Sequence, residues 1–278
     1  VQETCDRLGQ ISEKRTRNEG PPAEGPGGPS AEGPRRGSRP HRESHRRRGK
    51  PTANLLWDNK SSVLVGDYLF SRSFQLMVET GSLRVLDILA NASATIAEGE
   101  VLQLTAAQDL ATTEEIYLQV VRGKTAALFS AAAQVGGVIA GVSVKQEQAL
   151  YDFGDALGIA FQIVDDLLDY TGQADKIGKN IGNDFRERKL TLPVIKAVAL
   201  ATEAERAFWH RTIAQGQQSE DDLDQALAIM QSHLTLEAAK NDALAWVAQA
   251  KAALVHLPPH ALRVMLENLA DYVVERIS

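Results

Sequence analysis

The sequence predicts an all-α fold behind a structureless N-terminal tail, and three observations predict it. Beyond about Lys60, apolar residues recur at helical spacing, as in Phe70, Phe74 and Met77 and again in Ile116, Val120 and Val121. Pro193, Pro258 and Pro259 are the only prolines after Pro51, so long stretches are free of helix breakers. No segment alternates apolar and polar residues over a strand's length with β-branched enrichment.

The spacing places helices over about 60–78, 83–105, 113–140, 146–170, 190–213, 219–232, 235–254 and 259–276. Three starts carry capping chemistry. Thr112 or Thr113 precedes Glu114 and Glu115, Ser219 precedes the acidic run Glu220, Asp221 and Asp222, and Pro258-Pro259 precedes the last segment.

The chain has 278 residues and is 44% hydrophobic, enough for a sizeable core. Its single cysteine, Cys5, excludes a disulfide framework and a cysteine-based zinc site. No apolar run reaches bilayer length and no signal-peptide core is found, so a cytoplasmic protein without a transmembrane segment is expected.

The net charge of −6 conceals two segments. Residues 1–50 hold 12 Lys and Arg against 7 Asp and Glu, and the rest of the chain is strongly acidic. From Gly20 to Gly37 there is no leucine, isoleucine, valine or aromatic residue. Such a segment buries too little apolar surface to offset the entropy of ordering it, so residues 1–43 are expected to be a disordered low-complexity tail. Arg46, Arg47, Arg48 and Lys50 form a basic cluster at its end. No aromatic residues interleave with it, so base stacking is unsupported and no nucleic-acid partner is expected.

The chemistry lies in acidic residues set within an apolar helix. In the stretch Phe161 to Tyr170, with Asp165 as origin, Asp169 falls at about 40°, Gln162 near 60° and Asp166 at about 100° around the axis. Ile163 and Leu167 lie on the other side. Three carboxylates on one face repel one another, increasingly so where water is scarce. Oxygen-only ligands of this charge density suit Mg²⁺, which keeps several waters and is usually shared with substrate phosphates. The absence of a nearby His or Cys argues against zinc.

A second acidic group, Asp221, Asp222 and Asp224, sits in polar surroundings at the start of a helix. There the acids complement the helix dipole and no chemistry is expected of them.

After the acidic helix comes a basic loop containing Lys176, Gly178, Lys179, Gly182, Asp184, Arg186, Arg188 and Lys189. Metal with Lys and Arg is the usual way to hold a diphosphate. Gly123-Lys124-Thr125 adds a further lysine beside a hydroxyl. It is not a P-loop, because position 118 is Leu118 where that motif requires glycine.

Together, FQIVDDLLDY (161–170), GKNIGNDF (178–185) and RKLTLP (188–193) resemble the second aspartate-rich region of the trans-isoprenyl diphosphate synthases. RRGKP (47–51), GDYLFSRSF (66–74), AEGEVLQL (97–104), VRGKTAALF (121–129) and the closing LADYVVERIS fit as well, so the resemblance runs over residues 44–278. Within the family the chain is most similar to the long-chain octaprenyl and decaprenyl branch that makes the ubiquinone side chain.

The resemblance implies an isoprenoid-synthase-type helical bundle around a deep apolar cleft. It implies condensation of an allylic prenyl diphosphate with isopentenyl diphosphate, with Mg²⁺ neutralising the leaving diphosphate, and a homodimer. Carried over position by position, Asp165, Asp166 and Asp169 would ligate the metal. Lys124, Thr125, Gln162, Lys179 and Lys189 would contact the allylic diphosphate or stabilise developing charge. Arg47 would hold the allylic diphosphate and Arg48 the isopentenyl diphosphate. Arg188 stands where the family commonly has glycine, which would stiffen the loop before Lys189.

One departure is large. The family's first DDxxD falls at positions 38, 39 and 42, and these are Ser38, Arg39 and Arg42. Residues 1–43 match nothing in the family, and its upstream helices are not found there. An abrupt boundary of this composition is what a frame shift or a misplaced gene start produces. With those carboxylates replaced, weak diphosphate binding and poor turnover are expected. Two readings follow: a prenyltransferase, intact or impaired, or a non-catalytic helical subunit that modulates an intact homologue. A terpene cyclase of the same fold is a third, opposed by the Arg47-Arg48-Gly49 and Lys179 to Lys189 patterns.

Overall fold

The computed structural model describes residues 46–47, 50–51, 59–171 and 181–277. The tail expected over residues 1–43 lies outside the described residues, as do Arg48 and Lys179. The described residues belong to two units, divided between Leu76 and Met77.

In the first unit, β1 (Arg46–Arg47) pairs antiparallel with β2 (Lys50–Pro51), Arg47 opposite Lys50. Helix α1 (Asn59–Glu79) begins in this unit and shows exposed Val63, Leu64, Leu69 and Phe70.

The second unit is helical throughout. It comprises α2 (Leu83–Ala106), α3 (Glu114–Val121), a π-helical turn (Arg122–Ala126), α4 (Ala127–Ala140) and α5 (Val144–Thr171). The short α6 (Asn183–Arg186) follows, then α7 (Leu192–Leu200), α8 (Glu203–Trp209), a second π turn (His210–Ala214) and α9 (Asp222–Ser232). The unit closes with α10 (Thr235–Ala253) and α11 (Ala261–Glu275).

Local chemistry explains most boundaries. Ser82 Oγ caps α2 by accepting the Val85 N–H at 3.3 Å, and Thr113 Oγ1 caps α3 by accepting that of Ile116 at 3.3 Å. The single helix expected over 190–213 is two. Thr202 and Glu205 form a capping box that starts α8 afresh after an extended Ala201, so propensity on both sides is overridden by the cap between. The start expected at Ser219 falls at Asp222, after a turn in which the Asp222 N–H donates to the Ser219 carbonyl and the Ser219 N–H donates to Asp222 Oδ2 at 2.7 Å.

Helix α5 is the axis of this unit. Ile159, Ala160, Ile163 and Val164 are fully buried, with α4, α10 and α11 packed around them. Each large side chain removed from water here contributes about 1.5–3 kcal/mol. Gly154 and Gly158 let α4 and the π turn before it approach closely, since a Cβ on Gly154 would stand 2.5 Å from the Phe129 carbonyl oxygen and one on Gly158 2.6 Å from Ala126 Cα. A second cluster, Phe185, Phe208, Trp209, Ile213 and Met230, anchors α6 beneath the C-terminal end of α5. No helix among the described residues is long and apolar enough to cross a membrane.

Candidate active site

The acidic helix face is split by burial. Asp166 is 6% exposed, whereas the Asp165 side chain is 45% exposed and opens to the cleft. Two neutral donors hold the Asp166 carboxylate: Tyr117 Oη from α3 at 2.8 Å and Gln162 Nε2 from the preceding turn of α5 at 2.8 Å. Burial and the negative charge of nearby Asp184 push the Asp166 carboxyl up to about 7, although both hydrogen bonds favour ionisation. The Tyr117 hydroxyl is itself pushed well up by burial and by Asp166, so it stays a donor.

Gln162 is fixed from its other end, since its Oε1 accepts from Thr125 Oγ1 at 2.9 Å. Thr125 and Lys124 occupy the π turn after α3. Lys124 Nζ donates to Gln103 Oε1 on α2 at 2.7 Å and lies 3.2 Å from Glu100 Oε1. From the far wall Lys189 Nζ reaches Asp184 at 2.9 Å and Glu187 at 2.8 Å. Burial lowers the Lys189 pKa, but the two carboxylates outweigh it and hold the amine firmly protonated. Arg276 places its guanidinium 5.4 Å from the Phe161 ring centre and 3.8 Å from Asp165 Oδ1.

Lys124, Thr125, Gln162, Asp165, Asp166 and Lys189 therefore line one cleft of about 200 Å³. Asp169 is not on its wall. Its Oδ2 accepts the Asp184 N–H at 2.8 Å and its backbone carbonyl accepts the Gly182 N–H at 2.7 Å, so it ties the loop entering α6 to the end of α5. Arg47 lies in the first unit, in β1. Tyr117 and Gln103 also line the cleft, and sequence reasoning missed both. The apolar period that defined α3 made Tyr117 look like core, and Gln103 lies far from the acidic motif in the chain.

In the second acidic group Asp221 and Asp224 are exposed, and Asp222 and Asp224 fall in the first turn of α9 as expected, but Asp222 does more than complement the dipole. Asp222 is buried and takes a two-pronged ion pair from Arg211 at 2.8 and 2.7 Å. That pairing holds its carboxyl well below the usual range.

Among the described residues no three His, Cys, Asp or Glu side chains are placed to enclose an ion. The donors present still suit a hard divalent cation. Asp165 and Asp166 supply oxygen only, and Mg²⁺ commonly takes one or two carboxylates and completes its shell with water and substrate phosphate.

Comparison with known proteins decides the kinship. A family described as polyprenyl synthetase matches residues 43–230. The chain belongs to the polyprenyl synthetase family. It is 43% identical over 234 residues to the octaprenyl diphosphate synthase of Escherichia coli, covering 84% of this chain and 72% of that one. A crystal structure of a decaprenyl diphosphate synthase from Rhodobacter capsulatus superposes with a TM-score of 0.81 at 70% identity, covering 85% and 73% of the two chains. A polyprenyl synthase from Caulobacter crescentus, complexed with calcium and isoprenyl diphosphate, gives a TM-score of 0.79 at 47% identity over 84% and 71%. The all-helical expectation for the body of the chain and its kinship with long-chain synthases both hold.

Proposed function

We propose that the cleft between α2, α3 and α5 is the diphosphate and metal site of a trans-polyprenyl diphosphate synthase. By kinship the chain is a long-chain prenyltransferase, joining an allylic prenyl diphosphate to isopentenyl diphosphate. The observation that carries the site is the convergence of Lys124, the Asp165-Asp166 pair and Lys189 on one cleft from three separate stretches of sequence. Lysines alone would hold a diphosphate and carboxylates alone would repel it. Both together suit a diphosphate bridged by a divalent cation.

Asp165 and Asp166 would hold Mg²⁺, and the relative crystallised with calcium and isoprenyl diphosphate supports a divalent ion. When bound, the ion neutralises the leaving diphosphate. The chain's own residues do the rest. Lys124 and Lys189 supply positive charge to the diphosphate oxygens, preorganised by Gln103, Asp184 and Glu187. Thr125 orients Gln162, and Gln162 and Tyr117 hold Asp166 in place. Val120, Val121 and Leu190 give the cleft an apolar wall that excludes water from the reacting carbons.

Ser38, Arg39 and Arg42, standing where the family has its first acidic motif, reduce the cation-binding charge, and turnover slower than that of intact relatives follows from this reading. The resemblance also supports Mg²⁺ as the cation, a homodimer, a cytoplasmic location and a product for the ubiquinone side chain. Incubation with farnesyl diphosphate, radiolabelled isopentenyl diphosphate and Mg²⁺, resolving product lengths, tests the function. Long-chain product from the isolated chain is expected. No product alone, with a changed rate or product length on mixing with an active relative, would instead establish a modulating subunit.

A further inference from the structure

Lys124 stands on an unusual piece of backbone. Arg122–Ala126 is a π-helical turn in which the Ala127 N–H reaches back to the Arg122 carbonyl. Such a turn inserts a residue into the helical ladder and rotates the side chains that follow. Lys124 and Thr125, adjacent in sequence, thereby bridge two different helices, Lys124 to Gln103 on α2 and Thr125 to Gln162 on α5.

Helix α2 crosses this turn at a distance only glycine permits. A Cβ on Gly99 would stand 2.6 Å from the Lys124 nitrogen, 2.7 Å from the Gly123 carbonyl carbon and 2.9 Å from Gly123 Cα. All three are backbone atoms and cannot rotate aside. A Cβ on Gly123 would meet Gly99 Cα at 2.8 Å. One turn further along the same face of α2, Gln103 grips the Lys124 ammonium.

We propose that Gly99 and Gln103 are positioning residues for Lys124. Gly99 sets the height of the Lys124 backbone against α2, and Gln103 aims its ammonium into the cleft. Neither touches the reacting atoms. The inference rests on the reading of Lys124 as a diphosphate ligand.

Titration calorimetry with inorganic pyrophosphate and Mg²⁺ tests it on the full chain. Four variants are compared: Gly99→Ala, Gln103→Leu, Lys124→Ala and Gly154→Ala. Gly154 is the packing control, since its Cβ would stand 2.5 Å from the Phe129 carbonyl oxygen and it lies two turns before Gln162, outside the cleft. Displacing a binding group by about 1 Å costs on the order of tenfold to a hundredfold. Gly99→Ala and Gln103→Leu should weaken binding by about that factor. Gly154→Ala should lower the melting temperature while binding as the wild type does.

If Lys124→Ala weakens binding but Gly99→Ala and Gln103→Leu do not, the positioning role is overturned and the site reading stands. If Lys124→Ala binds as tightly as the wild type, the site reading itself falls. Should Gly99→Ala lose its helical circular dichroism, Gln103→Leu decides alone, because it leaves the glycine crossing untouched. If Gly154→Ala weakens binding as much as Gly99→Ala while both stay folded, the effect is general packing and the inference is overturned.

Discussion

Asp166 on α5 and Asp222 on α9 are both buried carboxylates on helices, yet the molecule treats them oppositely. Asp222 carries its own counter-ion, the two-pronged Arg211 guanidinium, and a backbone N–H from Ser219. Asp166 receives hydrogen bonds from two neutral groups, and Asp184 and Asp165 raise its pKa further. A buried charge closed off by a cation from its own chain is finished structure. One held by neutral donors at the edge of a cleft has room for a cation from outside. The contrast separates a fold-holding acid from a ligand-holding one more sharply than clustering in sequence does.

The largest break in this comparison is catalytic. Asp166→Asn keeps the shape and removes the charge. It should lower the prenyl-transfer rate on the order of 10²–10³-fold. The melting temperature of the metal-free protein should not fall, because the lost charge was held at a desolvation cost. Asp165→Ala should cost a similar factor in rate. Parallel rate and melting-temperature measurements check both. Unchanged rates would remove the cleft from the mechanism.

The next largest effect is in pH. Asp166 titrates near 7 in the folded chain against an ordinary 3.8, so between these values the folded state holds a proton that the unfolded chain releases. Stability of the metal-free protein from this group is therefore full at low pH, falls as pH rises through the window and is flat above about 7. The whole span is at most about 4 kcal/mol. Asp222 has the opposite sign: its contribution is present above about pH 4 and lost as pH falls further. Urea unfolding from pH 4 to 8 with a chelator present, on wild type and Asp166→Asn, should show the decline in the first and not in the second.

How much of this was legible in the sequence follows the range of the interactions involved. Helix positions were readable because the apolar period is local, and the acidic face of α5 was readable because 165, 166 and 169 lie within one turn. The division of labour on that face was not. Whether Asp166 or Asp165 is buried depends on α3 delivering Tyr117, a contact across 49 positions. Arg211 and Asp222 lie close in sequence, but a π turn and a glycine bend separate them, and spacing rules assume continuous helix. The break at Ala201, by contrast, was spelled out by Thr202 and Glu205, and the apolar run on either side masked it.

A smaller effect tests the structural side. Asp222→Ala removes the ion pair and leaves Arg211 free to hydrate. The expected loss is about 1–2 kcal/mol, the lower part of the range for charged hydrogen bonds, because the guanidinium is open to water. Pyrophosphate affinity should not change. A loss of affinity would erase the distinction between the two acids.

The smallest effect extends the contrast to the backbone. Near Asp222 the chain turns through a left-handed residue that is glycine, Gly216 at φ 67°. On the cleft side two non-glycine residues are left-handed, Gln108 at φ 67° and Arg188 at φ 60°, and Arg188 stands immediately before Lys189. A non-glycine residue in this region costs about 1–2 kcal/mol. The chain holds it there with the Arg188 N–H on the Phe185 carbonyl and the Lys189 N–H on the Asp184 carbonyl, each at 2.9 Å. Arg188→Gly relieves that strain but gives the unfolded chain about 0.5–1 kcal/mol more entropy to lose. The net gain in stability should be about 0.5 kcal/mol, read as a rise in the urea midpoint at unchanged slope. The reward for keeping arginine is then rigidity before Lys189, so the glycine variant should fold slightly more stably and bind pyrophosphate slightly less well. A gain in both would show that Arg188 serves neither the fold nor the cleft.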